Sequence, residues 1–203
     1  ILEREAVAQA EFVGRWTNDQ VQALVGWMQP FALETMPAEN QMSLLRAVWS
    51  AVPSSVVTAF VDRDGELVLP AVYISEPASL SAGQGRVVAS PQRARQVIDR
   101  LPVSEIGDST QAVAVGSPYM PDGARFPSIP VVVAGPFAQN VLLGVEFSLA
   151  TQVENFRRSS GPERGMALLD GEGQPLVGGK HPLIDAAGLK PLLRNRAFFT
   201  QTL

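Results

Sequence analysis

The chain changes texture at Pro53: apolar residues recur at helical spacing before it, and β-branched runs separated by turn residues come after it. Leu2, Ala6, Ala10 and Val13 are spaced by three and four, and Trp16, Ala23, Leu24 and Trp27 continue the apolar supply. Residues 1 to about 29 therefore read as helix. Gly14 weakens its first part, and Thr17-Asn18-Asp19-Gln20 reads as the cap of a second helical piece. Pro30 and Pro37 interrupt the helical pattern beyond Trp27. Gln41 to Val52 reads as a helix with Leu44, Leu45, Val48 and Trp49 on its apolar face, stopped by Pro53.

Val56 to Val61 is the first strand-like run, ended by Asp62-Arg63-Asp64-Gly65, and Leu67 to Ile74 is the second. Asp-Gly between two such runs predicts a hairpin, because Gly accepts positive φ and Asp hydrogen-bonds the turn backbone. Ser75 to Gly85 is loop-like, and Ser90-Pro91 opens a helix through about Arg100. Three more strands are expected, over Gln111 to Gly116, Ile129 to Ala134 and Asn140 to Leu149. Thr151 and Glu154 have the spacing of a capping box, which predicts a helix to about Ser159. Helices, hairpin, helix and three strands in this order predict an α+β domain with an antiparallel sheet.

The opening of that domain is echoed downstream. Thr58-Ala59-Phe60-Val61-Asp62-Arg63-Asp64-Gly65 and Met166-Ala167-Leu168-Leu169-Asp170-Gly171-Glu172-Gly173 align at a fixed offset, matching Ala59 to Ala167, Asp62 to Asp170 and Gly65 to Gly173. The spacing is too long for a solenoid unit and fits duplication of a small domain. The second copy would be partial within the chain.

The composition excludes several functions. With 46% hydrophobic and 18% charged residues, the chain can build a core. A net charge of −4 argues against a nucleic-acid grip. The absence of cysteine removes disulfides, thiolate metal sites and cysteine nucleophiles. His181 is the single histidine and lies in a turn-like Gly178-Gly179-Lys180-His181-Pro182, without a Gly-x-Ser-x-Gly elbow to make a triad. No apolar run reaches the roughly 20 residues that span a bilayer. A chain opening at Ile1 reads as an excised or processed piece, so membrane segments are expected only in flanking sequence.

Three features together resemble the Cache family of bacterial sensor domains, in its double form: the long helical lead, the hairpin Val56 to Leu69, and the passage Asn140 to Phe156 from a Gly-Val strand into a helix. The resemblance implies PAS-like five-stranded antiparallel sheets and a small-molecule pocket in the membrane-distal copy. It also implies an output domain outside this chain: a histidine kinase, a cyclic-dinucleotide enzyme or a chemoreceptor. The expected division is a helical stalk over 1–53, a membrane-distal PAS-like module over 54–150, and a linking helix with a partial second module over 151–203. The expected location is the periplasmic part of an inner-membrane protein. The amino-acid-binding members carry an Arg with a nearby Trp and Tyr in the pocket. Here all three Trp precede residue 50, so amino-acid recognition is not carried over.

Sensor pockets are mainly apolar, with a few polar groups that fix orientation. Tyr73 and Tyr119, the only tyrosines, each offer a ring with a hydroxyl. Arg93 and Arg95 have the chemistry to clamp a carboxylate, and Asp122 to hold an amine. Each also has an ordinary reading: half-buried strand edge, solvated helix face and turn. Asp62, Asp64 and Glu66 lack the spacing of a calcium loop and read as a turn. No metal or cofactor is expected, and no catalysis. The expected partners are a small molecule and a second copy of the chain, packed along the N-terminal helix through Trp16, Val21 and Trp27. A PAS-like dimerisation module with a filled interior is the rival expectation.

Overall fold

The computed structural model describes residues 2–52, 54–69, 73–74, 95, 97–107, 112–122, 124–135, 138–160, 168–169 and 175–177. Helix α1 (Leu2–Met28) is continuous. Gly14 does not break it and Thr17 does not cap a new helix: the Thr17 hydroxyl donates to the Val13 carbonyl at 2.9 Å. Thr17 is thereby satisfied within one helix, and Val21, Leu24 and Met28 anchor its apolar face. A 3-10 turn (Leu33–Thr35) reverses the chain. Helix α2 (Ala38–Ala51) then starts directly after Pro37, earlier than Gln41.

The sheet is antiparallel, in the order β2-β1-β5-β4-β3. Its strands are β1 (Ser55–Val61), β2 (Tyr73–Ile74), β3 (Ala112–Val115), β4 (Ser128–Ala134) and β5 (Leu142–Ser148). Every residue of β1, β4 and β5 is buried, so these strands are covered on both faces. On one face Phe60, Val131, Val133, Leu143, Val145 and Phe147 pack with α1 and α2. On the other, Val57, Ala59, Val61, Val132, Ala134 and Leu142 pack under Val97, Leu101 and Ile106. At Gly144 this covering segment lies close against the sheet: a Cβ there would lie 2.5 Å from Leu101 Cδ1.

The first hairpin closes as expected. Asp62 Oδ1 accepts from the backbone N–H of Asp64 and of Glu66, at 2.9 and 2.8 Å, and Gly65 has φ +83°. Its second strand is shorter than Leu67 to Ile74. Leu67 bridges Val61, yet Tyr73 pairs with Thr58, which puts the two pairings out of step. Pro70 stands between them and has no N–H for a ladder.

One end of the sheet is tied to its surroundings. Arg63 donates to the Gln139 carbonyl from Nε (3.2 Å) and Nη2 (3.1 Å), and from Nη1 to the Gly107 carbonyl. The Gln139 N–H donates to Glu34 Oε1 at 2.7 Å. At the other end β5 runs into helix α3 (Ala150–Ser160). That helix begins one residue before Thr151, which sits inside the first turn and not at its cap. The Ser148 hydroxyl accepts the Ala150 N–H at 3.2 Å, and Glu154 lies 3.7 Å from Arg158 on the exposed side. Downstream, β6 (Leu168–Leu169) and β7 (Pro175–Val177) form an antiparallel pair. Asp170 and His181 lie outside the described residues.

Candidate functional site

Strand residues alternate between faces, so the orientation of each β5 side chain is set by its neighbours. Val145 and Phe147 point to the helices, and Gly144 meets Leu101 on the opposite face. Glu146 therefore shares the face of Gly144, away from α1 and α2. It is 0% exposed, in the middle of the sheet, opposite Val57 of β1 and Pro130 of β4. A carboxylate in such a place must be hydrogen-bonded, because an unpaired buried charge is too costly to keep.

Tyr119 supplies one of its bonds. Its backbone bridges Ser128 at the start of β4, by a pair of N–H to carbonyl bonds at 2.9 and 2.8 Å. From there the side chain crosses β4, and its hydroxyl donates to Glu146 Oε2 at 2.8 Å. The Arg100 guanidinium carbon lies 5.1 Å from the centre of the Tyr119 ring, a cation–π distance. Arg100 and Leu101, adjacent in the covering segment, thus touch Tyr119 and Gly144 respectively. The result is a buried acidic floor with a phenol beside it and a guanidinium at its rim. Such a floor suits a ligand group that donates hydrogen bonds or carries positive charge.

The other residues singled out from sequence are described only in part. Tyr73 is on β2, with its side chain outside the description, and Arg93 lies outside the described residues. Arg95 is exposed on a helical turn, and Asp122 is exposed in a loop. Of the five, Tyr119 alone is seen at the acidic floor. Sequence reasoning misses Glu146, although one charged residue inside the apolar run Leu142 to Leu149 is a legible signal. Among the described residues, no cluster of three His, Cys, Asp or Glu is placed to hold a metal. No described helix is long and apolar enough to cross a membrane.

The fold has known counterparts at low sequence identity. No protein-family model matches the chain, and no curated protein does. A methyl-accepting chemotaxis protein X matches with 15% identity and a TM-score of 0.51, over 94% of this chain and 81% of that one. The periplasmic sensory domain of a Campylobacter jejuni chemoreceptor matches with 13% identity and a TM-score of 0.53, over 89% and 71%. A domain of a sensory box/GGDEF family protein from Vibrio parahaemolyticus matches with 13% identity and a TM-score of 0.50, over 92% and 77%. The chain has the α+β, PAS-like fold found in sensory domains of bacterial receptors.

Proposed function

We propose that this chain is the extracytoplasmic, Cache-type sensing domain of a bacterial transmembrane receptor, acting by binding and not by catalysis. It takes a small molecule on the sheet face away from α1 and α2 and signals through α1. The output domain is a histidine kinase, a cyclic-dinucleotide enzyme or a chemoreceptor. The observation that carries the reading is Glu146, a fully buried carboxylate on that face with the Tyr119 hydroxyl 2.8 Å away. The fold it shares with receptor sensory domains supports the same reading. Binding shifts the population between packings of sheet against helix, which is how a site without chemistry passes on a signal.

A second copy of the chain is the proposed partner along α1. Trp16 and Val21 do not supply that surface, because Val21 is 3% exposed and Trp16 packs on Phe147 within the chain. Phe12, Arg15, Asp19, Ala23 and Gly26 are exposed at spacings of three and four, with Trp27 beside them at 47% exposure. Arg15 and Asp19 give this stripe opposite charges that a second copy matches.

The ligand-free dimerisation module stays in play through Leu101, which fills the sheet face at Gly144. A thermal-shift screen of small metabolites separates the two readings. A stabilising hit that Glu146→Gln abolishes supports the sensor. A broad screen without any hit favours the filled module.

A further inference from the structure

Glu146 and Phe147 are neighbours on β5 and face opposite sides of the sheet. Phe147 is 0% exposed and meets Trp16 of α1 edge-on, with ring centroids 6.0 Å apart and planes at 74°. This arrangement is the favoured one for an aromatic pair. Trp16 is only half-buried, so the helix side has room to adjust where Phe147 has none.

The place of this contact along α1 matters. Val13 and Trp16 pack against the core, whereas Glu11 and Phe12, just before them, are exposed. Further along, Gln20 accepts a hydrogen bond from the Ser54 hydroxyl at 2.7 Å, and Val21, Leu24 and Met28 are buried in the core. Trp16 thus stands among the docked residues of α1, between Val13 and Val21.

We infer that Trp16 is the positioning residue through which α1 registers the state of the Glu146 face, by way of Phe147. The inference rests on the reading of that face as the ligand site. A ligand engaging Glu146 shifts the β5 backbone, Phe147 moves with it, and the close-packed interior passes the shift to Trp16 because it has no slack to absorb it. No partner residue on another strand is needed: one peptide unit joins the sensing face to the helix face.

The test needs no ligand. Trp27→Phe with Trp49→Phe leaves Trp16 as the single tryptophan of the chain. In that background Glu146→Gln replaces the carboxyl group of the floor by an amide at nearly constant shape. The expected result is a shift in Trp16 emission and a change in its acrylamide quenching of about twofold, the scale of ordinary coupling energies. Phe147→Leu should erase that response. Val132→Ala, on the same sheet face but opposite Gly144, should not produce it. Backbone hydrogen exchange at residues 13–20, compared between Glu146→Gln and the unsubstituted chain, gives the same readout with all tryptophans in place. Unchanged emission, quenching and exchange on Glu146→Gln overturn the inference, as does an equal response to Val132→Ala. A screening hit that stabilises the chain yet leaves Trp16 silent also overturns it, while the sensor reading stands.

Discussion

The Tyr119 hydroxyl donates to Glu146 Oε2 at 2.8 Å, joining positions 27 residues apart across β4. Removing the hydroxyl with Tyr119→Phe strips one donor from a buried carboxylate and should cost about 1–3 kcal/mol. In a Glu146→Leu background the same change should cost less, since the acceptor is gone. Urea unfolding of the two single variants and the double variant measures the coupling. Equal costs in both backgrounds would show that the bond contributes nothing to stability.

Gly144 and Leu101 occupy one volume between them. Gly144→Ala puts a Cβ where Leu101 Cδ1 now lies, only 2.5 Å away. Overpacking of this kind typically costs about 1–3 kcal/mol. Leu101→Ala in the same chain should recover part of that loss by making room. Thermal unfolding of the single and paired variants checks both statements.

The turn after β1 depends on two side-chain choices. Asp62→Ala removes the acceptor of two backbone N–H groups and should destabilise by about 1 kcal/mol, whereas Asp62→Asn keeps an oxygen in place and should lose less. Gly65→Ala forces a Cβ into φ +83° and should cost about 1–2 kcal/mol. Chemical denaturation ranks the three variants.

Self-association along α1 should respond to its exposed stripe and not to its buried one. Phe12→Glu and Trp27→Glu are expected to shift sedimentation from dimer toward monomer at fixed protein concentration, with unchanged circular dichroism. A wild-type chain that sediments as a monomer at all accessible concentrations would remove the proposed partner.

The parts of the fold legible in the sequence are those fixed locally. Asp62 and Gly65 announce their turn because its hydrogen bonds and positive φ involve only neighbouring residues. The runs that form β1, β4 and β5 are legible because fully covered strands are apolar on both faces. Local reasoning fails where packing overrides propensity. Gly14 and Thr17 look like a break, but the buried residues beyond them on α1 hold one helix through both. Thr151 has the spacing of a cap, yet the chain leaves β5 one residue sooner and uses Ser148. The acidic floor is the least legible part. Tyr119 stands out for its hydroxyl, but its partner belongs to a distant strand, and no periodicity encodes a contact across 27 residues.

The Arg63 guanidinium binds the carbonyls of Gln139 and Gly107, and Glu34 takes the Gln139 N–H, all at the edge where β1 ends and β5 begins. Four separate stretches of chain are stitched there. The other end of β5 is fastened as well: the Ser148 N–H donates to the Ser54 carbonyl and the Leu149 N–H to the Pro127 carbonyl, each at 2.8 Å. With both ends of β5 tethered, Glu146 lies between two sets of bonds and cannot shift without pulling on strands to either side.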